Sequence, residues 1–130
     1  MNLHQTDPDF SERFEYFAFD EVPHEKAQQL DDITRYIVIL AALIGCGAQE
    51  AYKEIFEKAI NEGFSPIMAK EIVYQATDYL GYGKMLPFLN ITNEILIQNG
   101  VSLPLENQSV TTIDNRLEKG IEAQVKIFGE

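Results

Sequence analysis

Few side chains in this 130-residue chain could do chemistry, and each has a definable setting. The only cysteine, Cys46, lies between Gly45 and Gly47, where one apolar segment ends and another begins. A thiol at the start of a helix has a lowered pKa, because free backbone N–H groups and the helix dipole favour the thiolate. A small apolar residue at a tight crossing has the same signature. No arginine is near Cys46 in sequence, and Lys53 is two turns away. Disulfide relay chemistry is excluded, because it needs an attacking and a resolving thiol. His4 and His24 lie in the polar N-terminal part without a metal-ligand partner at helical spacing; a neighbouring subunit could still bring His24 to a pocket. Tyr36, Tyr52, Tyr79 and Tyr82 offer phenol hydroxyls, and Gln75 precedes Tyr79 by four residues, so the two share a helix face. Arg35 could bind a substrate carboxylate or pair with Asp31 or Asp32. Glu50 and Glu54 share another face, Glu50 in the first turn where the dipole favours a carboxylate.

The segments that must position these groups read as helices. Apolar residues recur every three or four positions and no period-two run appears, which predicts an all-α fold of about six helices. "PDFSERFEYFAF" places Phe10, Phe14 and Phe17 on one stripe. "LDDITRYIVILAALIG", capped by Asp31 or Asp32, is apolar on nearly every face and is predicted to be a buried central helix. "QEAYKEIFEKAINEG" buries Ala51, Tyr52, Ile55, Phe56 and Ala59 and stops at Gly63. Ser65 and Pro66 form the strongest helix start in the chain, and Gly81 with Gly83 ends that helix. The next, "KMLPFLNITNEILIQNG", accommodates Pro87 only in its first turn. "VSLPLENQSVT" is an aperiodic loop. The last helix, 112–128, carries Ile113, Leu117, Ile121 and Val125 at steps of four. That stripe must dock on its own domain or on a neighbouring chain, with Gly120 marking a close crossing.

Length and 45% hydrophobic content suit one domain, 1–130, with a real core. No apolar run reaches membrane-spanning length, and "MNLHQTDPDF" lacks the basic start and apolar stretch of a signal peptide. A net charge of −11 argues against nucleic acid and anionic membranes as partners. One cysteine fits a reducing, cytoplasmic setting. No zinc spacing or phosphate-binding loop is present, so no metal or cofactor is expected.

Taken together, "LDDITRYIVILAAL", "AINEGFSP" and "EIVYQATDYLGYGKML" resemble the carboxymuconolactone decarboxylase family over roughly residues 10–98. That family includes lactone decarboxylases and the alkylhydroperoxidase D-like reductases. The resemblance implies an alkylhydroperoxidase D-like helical fold, assembled as homotrimers or homohexamers, with sites near subunit contacts. "RLEKGIEAQVKIFGE" is similar to the family's first helix, here at the C-terminus, so the chain looks permuted. The family's catalytic Glu, two Cys and His positions fall on Tyr36, Ala48, Ala51 and Ile55, which removes its proton relay. The resemblance therefore implies a protein that binds or acts on a small organic acid or lactone, by decarboxylase or lactone-lyase chemistry if it is an enzyme. Tyr52, Gln75, Tyr79 and Tyr82 are the substrate-binding candidates, with Cys46, Tyr36 and His24 as the weak catalytic ones. A peroxiredoxin-like antioxidant using Cys46 alone, and a non-catalytic binding or structural oligomer, are the rival readings.

Overall fold

The computed structural model describes residues 3–27 and 30–129. Along the chain the helices are α1 (Leu3–Thr6), α2 (Pro8–Tyr16), a π-helical turn (Phe17–Glu21), α3 (Val22–His24), α4 (Asp32–Gly45), α5 (Gln49–Asn61), α6 (Pro66–Leu80), α7 (Tyr82–Gln98) and α8 (Arg116–Phe128). No strand occurs among the described residues, as the three-to-four-residue periodicity predicts.

Helices start and stop where local chemistry requires. Asp31 caps α4, accepting from the Thr34 amide at 2.9 Å and the Thr34 hydroxyl at 2.7 Å. Ser65 caps α6, with Pro66 supplying the fixed φ of a first helical residue. Gly47 (φ +75°) and Gly63 (φ +89°) take the left-handed conformation that closes α4 and α5. In each case the following amide reaches back to a carbonyl five residues earlier, Ala48 to Leu43 and Phe64 to Ala59, both at 2.9 Å. The connections are therefore only three or four residues long, and α4 and α5 lie side by side while α5 and α6 sit across the bundle from each other.

Helices α4 to α7 pack in the cyclic order α4–α5–α7–α6. The core between them holds Leu40, Ile44, Tyr52, Phe56, Ala59, Phe64, Ala69, Val73, Met85, Phe88, Ile95 and Leu96. Val101 and Leu103, from the segment after α7, pack against its edge. Of the stripe read on α5, Tyr52, Phe56 and Ala59 are buried and Ile55 packs against the core, whereas Ala51 is exposed.

Four expectations are corrected. Helix α4 is not central: Leu40 and Ile44 are buried, but Ile33 and Val38 are half exposed and Ala41 and Ala42 open to solvent. Each helix of a four-membered ring has an outward face, so a helix that is apolar all round leaves apolar surface outside. Helix α7 starts at Tyr82, which puts Pro87 inside it rather than in the first turn. The terminal helix starts at Arg116 rather than residue 112, and it buries none of its residues against the described part of its own chain. Ile113, Leu117, Ile121 and Val125 stay 83%, 74%, 53% and 42% exposed. Gly120 marks no crossing, since nothing approaches within 4 Å of the space its Cβ would occupy.

Candidate functional site

The tyrosines divide between core and surface. Tyr52 is buried, edge-on to Phe88 at 5.2 Å and stacked on Phe56 at 5.8 Å. Its hydroxyl lies 2.7 Å from Thr92 Oγ1, and the Thr92 hydroxyl donates to the Phe88 carbonyl at 2.8 Å. Desolvation pushes the Tyr52 phenol up to about 12. Tyr36 is half-buried, edge-on to Phe64, and donates to the Glu62 carboxylate at 2.5 Å. Burial first, and then that carboxylate, hold the Tyr36 phenol well above its ordinary value. Both hydroxyls therefore stay neutral donors at physiological pH, each already partnered.

The other candidates do not join them. Gln75 is exposed, and Tyr79 and Tyr82, on either side of Gly81, are 89% and 64% exposed. Tyr52, Gln75, Tyr79 and Tyr82 thus line no common cavity within one chain. Glu50 and Glu54 are solvated on α5. Arg35 pairs with Asp32 at 3.0 Å and donates to the Leu30 carbonyl at 3.2 Å, so its cation is already engaged. His24 is exposed, its Nδ1 within 3.3 Å of an Asp20 carboxylate oxygen, and His4 pairs with Glu15 at 2.8 Å. No group of three His, Cys, Asp or Glu among the described residues could hold a metal ion. No helix is long and apolar enough to cross a membrane.

Cys46 is exposed and forms the C-cap of α4, not the first turn of α5, whose N-cap is Ala48. Its sulfur points back at the Leu43 carbonyl, 3.5 Å away. The free N–H groups of a helix start, on which the reactive-thiol reading rests, are therefore not what Cys46 faces. At the four positions where the resemblance implies a relay, Tyr36 is bonded to Glu62, Ile55 packs on the core, and Ala48 and Ala51 carry no chemistry.

A cleft that sequence reading passes over lies between α6, α7 and the segment after α7. It measures about 660 Å³ and is lined by Ile67, Lys70, Glu71, Tyr74, Asn93 and residues 103–109. Lys70 is half-buried there; its Nζ donates to Asn93 Oδ1 at 2.5 Å and lies 5.5 Å from the centre of the Tyr74 ring. Among the described residues no carboxylate lies within ion-pairing distance of this ammonium. The four-residue step from Lys70 to Tyr74 was visible in sequence, but not the third wall. That wall is the "LPLENQS" loop, which has no periodicity and is held because Val101 and Leu103 reach the core. No protein-family profile, curated protein or solved structure matches this chain.

Proposed function

We propose that this chain is a helical binding protein similar to the carboxymuconolactone decarboxylase family, taking a small organic acid or lactone whose oxygen accepts from Lys70. The observation that carries the reading is a half-buried ammonium, held only by an amide oxygen and a ring face, on the wall of an open cleft. A ligand pocket for a small molecule is typically about 300–1,000 Å³, and this cleft falls within that range. Ile67, Leu103 and Leu105 give it apolar wall, Lys70 gives the charge, and Asn93 and Tyr74 give polar groups that fix orientation. Glu71 and Glu106 on the same walls repel a second negative charge, so a monoanion or neutral lactone is favoured over a dianion. Binding without turnover follows from Tyr36, Ala48, Ala51 and Ile55, which supply no proton relay.

Calorimetric titration with benzoate and with γ-butyrolactone tests the reading, with benzamide as the neutral control for benzoate. Lys70→Met is expected to weaken benzoate binding about 10- to 100-fold, the worth of one charge-assisted hydrogen bond. Equal affinity in Lys70→Met, or benzamide binding as well as benzoate, would refute it.

A further inference from the structure

Two helices carry apolar stripes left largely exposed among the described residues, and they lie near opposite ends of the sequence. On α8, Leu117, Ile121 and Val125 line one face, and no residue of the helix is buried. On α2 and the π-helical turn, Phe10, Phe14 and Phe17 are 64%, 54% and 55% exposed, with the first two rings stacked at 6.1 Å. Helix α2 is inverted relative to ordinary packing: its buried residue is Ser11, whose hydroxyl has no partner among the described residues, while its phenylalanines face out. A contiguous exposed apolar face of this kind marks an interaction surface.

The charges of the two stretches are opposite. From Leu3 to His24 there are six carboxylates, Asp7, Asp9, Glu12, Glu15, Asp20 and Glu21, against Arg13 alone. Helix α8 is the reverse of the acidic chain around it, with Arg116, Lys119 and Lys126 against Glu118 and Glu122. Lys119 pairs with Glu122 at 2.8 Å, while among the described residues Arg116 and Lys126 have no carboxylate within ion-pairing distance, and Asp9 and Glu12 no cation.

We propose that α8 of one copy lies along the Phe10–Phe14–Phe17 face of a second copy, and that the exchange is reciprocal. Leu117, Ile121 and Val125 then cover the phenylalanine rings, and Arg116 and Lys126 meet the acidic N-terminal stretch. One such contact covers roughly 600 Å² summed over both partners, counting about 80–100 Å² for each half-exposed side chain, too little for a stable pair. Two contacts cover roughly 1,200 Å², at the lower edge of specific interfaces, so a two-fold exchange is the smallest assembly that suffices. Residues 110–115, beyond the loop fixed by Val101 and Leu103, give α8 the freedom to leave its own body. The inference stands apart from the ligand reading, since neither stripe lines the Lys70 cleft.

Sedimentation equilibrium of the full chain at tens of micromolar tests it, with Phe14→Glu and Ile121→Glu as variants. Both positions lie outside the core, so the far-ultraviolet circular dichroism of each variant should report a folded protein. The wild type is expected at twice 14.8 kDa. Each variant alone falls to the monomer mass. An equimolar mixture of the two can rebuild only one of the two contacts, so it stays largely monomeric. Raising salt weakens the wild-type dimer, and Arg116→Glu with Lys126→Glu does the same at low salt. A monomeric wild type overturns the proposal, including one in which Ile121→Glu lowers the melting temperature, which would place α8 on its own chain. A Phe14→Glu variant that stays dimeric, or an Ile121→Glu variant that does, overturns it in favour of like-on-like contacts.

Discussion

Replacing Tyr52 by phenylalanine removes one oxygen from the centre of the core and separates two roles for this residue. The hydroxyl is buried and 2.7 Å from Thr92 Oγ1, whose own proton goes to the Phe88 carbonyl. Tyr52 is therefore the donor and Thr92 the acceptor in that contact. Tyr52→Phe deletes the donor and leaves Thr92 still bonded, a loss of about 1 kcal/mol. Thr92→Val deletes the acceptor and strands a buried phenol, about 1–3 kcal/mol. With an unfolding entropy near 0.27 kcal/mol/K for a domain of this size, each kcal/mol is worth about 4 °C in melting temperature. Thr92→Val should thus be the more damaging single change, and the double variant should cost clearly less than the sum. The pH dependence follows the same geometry. The folded-state phenol is raised to about 12 from an ordinary value of 10, so its contribution is fully present below pH 10 and lost between about pH 10 and 12. Tyr52→Phe should flatten that alkaline limb while leaving benzoate binding unchanged. The assay is thermal unfolding followed by circular dichroism at pH 7 and from pH 9 to 11.5. Additive costs, Tyr52→Phe costlier than Thr92→Val, or lost benzoate binding would refute the core role of this residue.

Other outcomes follow from the same structure. Asp31→Ala should lower the melting temperature and Asp31→Asn should restore most of it, since asparagine also caps. The Thr34 amide and hydroxyl hold the Asp31 carboxyl below its ordinary value, so the cap's contribution is present above about pH 4 and fades as the carboxylate is protonated; melting curves at pH 3 and 7 check this. Gly47→Ala and Gly63→Ala should each cost about 1 kcal/mol in urea unfolding purely through the backbone, as nothing crowds either position. Cys46 should be labelled by iodoacetamide in the folded protein, because it is exposed, and Cys46→Ser should change stability by less than about 0.5 kcal/mol. A chain ending after Ser109 should keep its melting temperature measured at high dilution, because α8 adds nothing to the core of one copy.

The helices were legible because their signals are local. Ser65 and Pro66 open α6, Asp31 opens α4, and Gly47 and Gly63 close α4 and α5, each through bonds within five residues of itself. The all-α class and the core stripes of α5 and α6 follow from the same short-range periodicity. What periodicity leaves open is which outward face finds a neighbour. Helix α4 reads as buried on all sides, yet four helices in a ring cover only its inner side. Tyr52, Tyr79 and Tyr82 are the same residue type on amphipathic helices, but only Tyr52 meets Thr92, across a separation of 40 residues. Lys70 carries no motif at all, and its cleft exists because an aperiodic loop is held along α6 by Val101 and Leu103. Composition and spacing determined the helices and their inner faces, because those depend on neighbours in sequence. Tertiary structure alone decided which polar groups meet and which apolar stripes stay open, because those depend on contacts between residues far apart in the chain.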